Sequence, residues 1–501
     1  MKESESGVHK GYADVMKYLG MFGGTQFIST LLGLVRSKLS AQLLGAAGMG
    51  IIANFNRTIQ LFSDSTNLAL SFSAVRTLSV AYENSDIDTL KDSLRVVRSI
   101  AFYTGILGAF LLLVLSPLVS IMMFKTVEYY ALHFAMLSPV VFFMALSGGE
   151  IAILRATRHY TQVALYSLIG AVVSLALSAP FYYFMGIDGI FPTIFLIALT
   201  QLLVLFRFSL PSYGYRILPF SFSLLKKGYD IVRLGAGYMY ASIVTAASIW
   251  LVCNFLTSIG SEAVTGMFSV GFMFITTLPA VLFSALDSQY YPRLSSVMSD
   301  VGVRNSIVNE QVEVQLLVQA PAIIAFVVVL PILIPLLSTV EFMPVVAMTQ
   351  FAMLGMLVRA MTYPISFLPL SKGDSLVFVI QESLYNLSFV VAIVLGYLQL
   401  GVSGIGCAIS VVHIIDFIVV YSIARRRYSY SLSASAMRYF ILQFPLLLLT
   451  IISCRCMGNG KLYWITGALF FSASILISLY VLTTRTKLLG MVMKRFKRNK
   501  K

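Results

Sequence analysis

The sequence predicts an all-α polytopic membrane protein of about fourteen transmembrane helices, in two six-helix lobes plus two C-terminal helices. Three observations carry that prediction. Of the 501 residues 58% are hydrophobic and only 11% charged, with a mean hydropathy of +0.86, whereas a soluble domain carries about 25% charged residues. Apolar segments of roughly 20 residues, each enough to cross about 30 Å of hydrocarbon, recur along the whole chain. The first half of the chain also echoes the second.

The spans fall near 18–44, 50–78, 99–123, 131–154, 162–185, 188–208, 231–257, 264–291, 314–338, 343–369, 376–398, 402–424, 437–457 and 462–484. The resulting organisation is a cytoplasmic segment 1–17, an N-lobe 18–208, a linker 209–230, a C-lobe 231–424, two extra spans within 425–484, and a basic tail 485–501. The opening MKESESGVHKGYADVMK is too polar for a cleaved signal peptide, so the first span reads as an uncleaved anchor. An even number of spans puts both termini on one side. That side collects most Lys and Arg residues, including Arg425, Arg426, Arg427 and the tail KRFKRNKK; the other side holds only Lys125, Arg455 and Lys461. The positive-inside rule therefore expects both termini in the cytoplasm. The formal charge of +15 then reads as a topology determinant and anionic-lipid contact, not as a nucleic-acid surface. The four cysteines lie in or beside apolar runs and form neither a disulfide framework nor a metal cluster.

Residues 50–80, GIIANFNRTIQLFSDSTNLALSFSAVRTLSV, resemble 266–297, GMFSVGFMFITTLPAVLFSALDSQYYPRLSSV. Each starts with Gly, passes a middle containing Ser and Asp, and reaches an Arg followed closely by Leu-Ser, as Arg-Thr-Leu-Ser in the first and Arg-Leu-Ser in the second. A six-plus-six parallel repeat accounts for this, and such repeats place a transport pathway between their halves.

Four cations remain inside the membrane: Arg36, Lys38, Arg57 and Arg359. In the first span Ser29, Gly33, Arg36 and Ser40 are spaced to share one helical face. Lys38 lies roughly 200° round from Arg36 and reads as snorkelling outward. In the second span Asn54, Arg57, Asp64, Asn67 and Ser71 form a polar line through a membrane helix. Each charge at a helix centre costs about 2.5–3.5 kcal/mol on insertion scales, so a wet cavity between helices is expected. Arg359 sits mid-span before Pro364. Asp287 and Gln289 stand near the inner end of the eighth span. His413 and Asp416 share a face at i and i+3, where they relay a proton, hold a cation, or form a structural contact. Arg36, Arg57, Arg359, Lys38, Asn54 and Asn67 are thus the candidate substrate-cavity residues. Asp64, Asp416 and His413 are the candidate ion-coupling residues.

At residues 40–62, SAQLLGAAGMGIIANFNRTIQLF resembles the first loop and second helix of Wzx-type polysaccharide flippases, in particular those handling enterobacterial common antigen lipid. The Val-Arg-x-Leu segment at 75–78 and the polar loop after it are similar too. The resemblance implies the multidrug/oligosaccharidyl-lipid/polysaccharide (MOP) exporter fold, two lobes in a V around a central cavity. It implies transport of undecaprenyl-pyrophosphate-linked oligosaccharide, such as an O-antigen repeat unit, across the bacterial inner membrane. Membrane lipids and the polysaccharide polymerase and chain-length machinery are the implied partners; no cofactor and no metal is expected. Arg36 also sits where MurJ-like lipid II flippases carry a functional arginine, but Thr30 and Ser37 replace an arginine and an acid of that pattern.

The alternative is a MATE-like antiporter expelling organic cations, which calls for acids in the cavity; the first span has none. An enzyme such as a polymerase or ligase calls for a substantial outer loop and a reactive constellation, and neither appears. The loop after span two lacks the Gly-x-x-x-Asp-Arg pattern of major-facilitator transporters.

Overall fold

The computed structural model describes residues 2–83, 87–125, 128–457 and 460–486, with side chains described from residue 25 on, apart from those at 278–289 and scattered single positions. The basic tail and the side chains of Asp287 and Gln289 lie outside the described residues. The helices are α1 (Lys2–Thr66), α2 (Leu70–Glu83), α3 (Ile87–Phe124), α4 (Glu128–Ala156), α5 (Tyr160–Met185), α6 (Ile190–Tyr213), the short α7 (Phe222–Lys227), α8 (Tyr229–Phe255), α9 (Glu262–Ser295), α10 (Val301–Leu337), α11 (Pro344–Lys372), α12 (Ser375–Tyr428), α13 (Ala434–Cys456) and α14 (Lys461–Thr486). Among the described residues, nine helical stretches are long and apolar enough to cross a membrane. The protein is thus an all-helical, multi-pass membrane protein.

Glycine sets the folds within the two longest helices. α1 runs 65 residues and turns at Gly45 (φ 65°), and α12 runs 54 and turns at Gly401 (φ 60°). Both angles lie in the left-handed region that glycine enters without a Cβ penalty. At Gly401 the chain doubles back so tightly that a Cβ on Gly404 would overlap the Gly396 carbonyl. With these divisions, and with α7 set aside, the helices follow the order of the expected spans, of which the first, second and eighth are not among the nine membrane-length apolar stretches of the described residues.

The second span differs from the expected continuous helix. It breaks at Asn67, where Leu68 (φ 52°) and Ala69 (φ 47°) are left-handed. Asn67 Oδ1 accepts the Ala69 N–H at 2.8 Å, and the Ser73 hydroxyl donates to the Leu68 carbonyl at 3.0 Å. Gly235 of α8 makes room for that carbonyl, since a Cβ there would overlap it. The freed backbone groups are therefore satisfied locally, which is the condition for irregular backbone at membrane depth.

By contacts the chain forms two compact units: Met1–Gly266 with Leu337–Thr339, and Met267–Leu336 with Val340–Lys501. In the first, α1 packs on α5 and α8, and α4 on α3, α2 and α6. Its core includes Phe55, Leu112, Phe134 and Trp250, whose indole donates to the buried Thr58 hydroxyl at 3.0 Å. α1 meets the α8–α9 corner backbone to backbone: a Cβ on Gly50 would overlap the Glu262 carbonyl, and one on Gly266 the Ala46 carbonyl. The two glycines that open the repeated stretches thus make reciprocal contacts. Pro117 leaves the Leu113 carbonyl of α3 without its helical donor, and the Ser116 hydroxyl supplies one at 2.8 Å. In the second unit Gln350 of α11 does the same at 3.3 Å for Val327, freed by Pro331 of α10. The last two helices are clasped by fully buried Gln443 of α13, hydrogen-bonded to Ser474 (2.6 Å) and Ser478 (3.0 Å) of α14.

Each half of the chain also straps the segment that leaves its sixth span. In the first, buried Arg98 of α3 donates to the Gly214 carbonyl, Ser99 accepts from Leu218 N at 2.8 Å, and Tyr103 donates to Leu218 O at 3.0 Å. In the second, buried Arg304 of α10 donates to the Tyr428 carbonyl, Asn305 to Ser429 O at 2.9 Å, and Asn309 to Ser431 O at 2.9 Å. The same i, i+1, i+5 spacing on the third span of each half is independent support for an internal repeat.

Candidate functional site

The first-span stripe forms one wall of a cavity in the first unit. Ser29 meets Ser167 of α5 at 3.5 Å, Gly33 leaves open space, and Arg36 Nε donates to Ser178 Oγ at 2.9 Å. Ser40 is buried and donates to the Arg36 carbonyl at 2.9 Å. The cavity holds about 330 Å³ between α1, α5 and α6. Gly33 and Arg36 contribute one side, Tyr166, Ser167 and Ser174 of α5 a second, and Gln201 of α6 a third. No carboxylate is among its lining residues. A guanidinium among hydroxyls and an amide makes a pocket for an anion with polar substituents. Arginine suits that task because its planar fork binds phosphate oxygens bidentately and keeps its charge.

The other first-half residues do not share this cavity. Lys38 is half-buried on α1 and outside the lining. Asn54 is fully buried and donates to Thr257 Oγ1 at 2.8 Å, so the structure assigns it to a packed contact rather than a cavity wall. Arg57 donates to Gln60 Oε1 at 3.1 Å, and Gln60 and Asn67 are the polar side chains that act on Asp64. The polar line of the second span is therefore a chain running along its own helix. Gln60, absent from the sequence-based set, completes it by bridging the two turns between Arg57 and Asp64. Asn67 holds the helix break rather than facing a cavity, because its amide is committed to Ala69 and, at 3.3 Å, to Ser63.

The second unit gathers a different cluster. Arg359 of α11 reaches Tyr385 of α12, with Nη1 at 3.5 Å from the hydroxyl and the guanidinium 5.9 Å from the ring centre. His413 stacks against Tyr385, centroids 5.9 Å apart, and is buried with Nδ1 unpartnered. Asp416 and Glu382 lie within electrostatic reach of Arg359. No ion pair within 4 Å joins Arg359 to either carboxylate among the described residues. α11 and the second half of α12 approach closely because Gly355 has no side chain: its N–H donates to Ser410 Oγ at 2.8 Å. Pro364 does not interrupt α11, and its carbonyl accepts from Tyr290 at 2.7 Å.

Arg359 acts electrostatically on both His413 and Asp416, which lie one turn apart on α12. The cation of the second half thus has two acids within electrostatic reach, unlike Arg36. Glu382 and Tyr385 escaped the sequence reading. Glu382 was findable, since any acid within a membrane span is a functional-site hypothesis; Tyr385 carried no such signal.

No family model matches the sequence, and no curated protein matches it. Solved structures do resemble it. A lipid II flippase MurJ in an inward closed conformation aligns with TM-score 0.69 at 15% identity, covering 92% of this chain and 98% of that one. An inward-facing multidrug resistance MATE family transporter of the MOP superfamily aligns with TM-score 0.65 at 15% identity, over 80% and 94% of the two chains. A MOP superfamily transporter from Pyrococcus furiosus Vc1 (DSM3638), described as having a binding pocket of reverse polarity, gives TM-score 0.55 at 15% identity, over 82% and 94%. The chain has the fold of the MOP-superfamily transporters.

Proposed function

We propose that the protein is a flippase of the bacterial inner membrane, with both termini cytoplasmic. Its substrate is an undecaprenyl-pyrophosphate-linked oligosaccharide, a repeat unit of O-antigen or another surface polysaccharide, carried to the outer leaflet by alternating access. One observation carries this reading: Arg36 lines a hydroxyl- and amide-walled cavity that has no carboxylate in its lining. Diphosphate meets the guanidinium there, sugar hydroxyls meet Ser167, Ser174 and Gln201, and the polyprenyl chain stays in lipid. Arg359, Glu382, His413 and Asp416 form the ion-coupling site of the second unit. Membrane lipids and the polysaccharide polymerase and chain-length machinery are the proposed partners. No catalytic residue is assigned, because the step is movement and not bond making.

The test is transport of lipid-linked oligosaccharide by an Arg36→Ala variant that still reaches the membrane. Export falls at least tenfold if Arg36 contributes even about 1.4 kcal/mol to binding the transported state. Arg36→Lys, which keeps charge but loses the fork, recovers part of it. Unchanged export in Arg36→Ala removes the anion-site reading. The rival, a MATE-like cation antiporter, predicts raised resistance to cationic dyes on overexpression; the acid-free cavity speaks against it.

A further inference from the structure

Gln311, Gln315 and Gln319 of α10 recur every four residues and so share one face of the helix. Gln315 and Gln319 are fully buried, yet both amide atoms of each are without a hydrogen-bond partner, as is the amide nitrogen of Gln311. Buried orphans of this kind are rare in folded proteins, and a row of them marks partners supplied by bound water or a ligand. Each amide offers a donor and an acceptor and no formal charge, the pattern that water, itself donor and acceptor, completes. The buried neighbours Val312, Leu316 and Ala320 are apolar and supply no competing partner.

The depth of the row follows from a cross-helix bond. Gln350 of α11 donates to Val327 of α10. α11 returns after the turn at Val340–Phe342, so Gln319, about 12 Å before Val327 along α10, lies from that contact in the direction in which α11 runs on to Arg359. Gln311 lies about 12 Å further along the helix and is only half-buried.

We propose that α10 binds a file of water along Gln311, Gln315 and Gln319, reaching from the Gln311 end of the helix to the depth of Arg359. Protons hop along such a file, so it opens an aqueous way to the depth of the titratable cluster in the same unit. That use rests on the ion-coupling reading above; the hydration does not.

Single cysteines test the hydration in full-length protein in native membrane vesicles, with the four native cysteines replaced by serine or alanine. The variants are Gln315→Cys and Gln319→Cys, with the equally buried Leu316→Cys and Ala320→Cys as controls. With 2-aminoethyl methanethiosulfonate as probe, positions 315 and 319 react at least an order of magnitude faster than 316 and 320. Equally slow reaction at all four overturns the proposal. The thermal midpoint of the Gln315→Leu, Gln319→Leu double variant gives a second reading. A fall is expected, because bound waters lose their partners; a rise overturns the file, because apolar groups relieve dry orphaned amides. Fast labelling together with unchanged ion-driven transport in the double variant leaves the file standing and removes its use in coupling.

Discussion

Replacing Glu150 by alanine isolates the strap at the α3 end of the first unit. Arg98 binds Glu150 in a two-pronged pair, Nε to Oε1 at 2.7 Å and Nη2 to Oε2 at 2.9 Å, with side chains only 3% and 2% exposed. The same guanidinium donates to the Gly214 carbonyl and lies 5.0 Å from the Tyr215 ring centre. Truncating one partner of a buried pair leaves an uncompensated charge out of water and costs about 3–5 kcal/mol. A control of similar length is available: Arg293 and Glu310 meet at 2.9 Å, but are 58% and 56% exposed. An exposed pair of that kind contributes about 0–1 kcal/mol. Burial alone therefore separates the two by roughly 2–5 kcal/mol, an equilibrium ratio of at least tenfold. The assay is thermal unfolding of the purified protein followed by intrinsic fluorescence, with trypsin cleavage at exposed Arg216 as a local readout of the strapped segment. Glu150→Ala lowers the midpoint well beyond Glu310→Ala and speeds cleavage at Arg216. The double variant Arg98→Met, Glu150→Leu recovers much of the midpoint, because it leaves no orphaned charge. Equal shifts for Glu150→Ala and Glu310→Ala would refute the argument.

Two further outcomes are expected. Gly50→Ala and Gly266→Ala each drive a Cβ into a backbone carbonyl that cannot step aside, so each costs at least the about 1–3 kcal/mol of core overpacking. Gly33→Ala, which meets nothing within 4 Å, is the silent control in the same thermal assay. Asp374, between α11 and α12, is held below the usual carboxylate range, first by the hydrogen bond from the Tyr428 hydroxyl (2.7 Å) and then by Arg427. Its contribution to stability is present above the unfolded carboxylate value and is lost as pH falls through the lower folded one. The midpoint gap between the protein and Asp374→Asn therefore narrows as pH is lowered from 7 toward 3, and a constant or widening gap contradicts the assignment.

Span positions were legible because each helix must bury its own backbone polar groups in lipid, which writes long apolar runs into the order of residues. The face carrying Ser29, Gly33, Arg36 and Ser40 was legible for a similar reason, since helical geometry alone places those side chains together. The break at Asn67 was not. Leu68 and Ala69 are ordinary helix formers, and what releases them is the space left by Gly235 on another helix, together with local caps from Asn67 and Ser73. Asn54 looked like a cavity residue by periodicity, and its partner Thr257 lies 203 residues away.

Residue order by itself determined that this chain crosses the membrane repeatedly and which faces of its helices are polar. Those properties follow from lipid solvation and from the 3.6-residue period, both of which act on each helix separately. Only the tertiary structure decided which polar faces meet. It set Arg36 against Ser178 beside an acid-free cavity and Arg359 near Glu382 and Asp416, so that two arginines on apolar helices acquired opposite surroundings. The reason is that a charge within a membrane takes its character from whatever neighbouring helices bring to it, and those neighbours are distant in sequence.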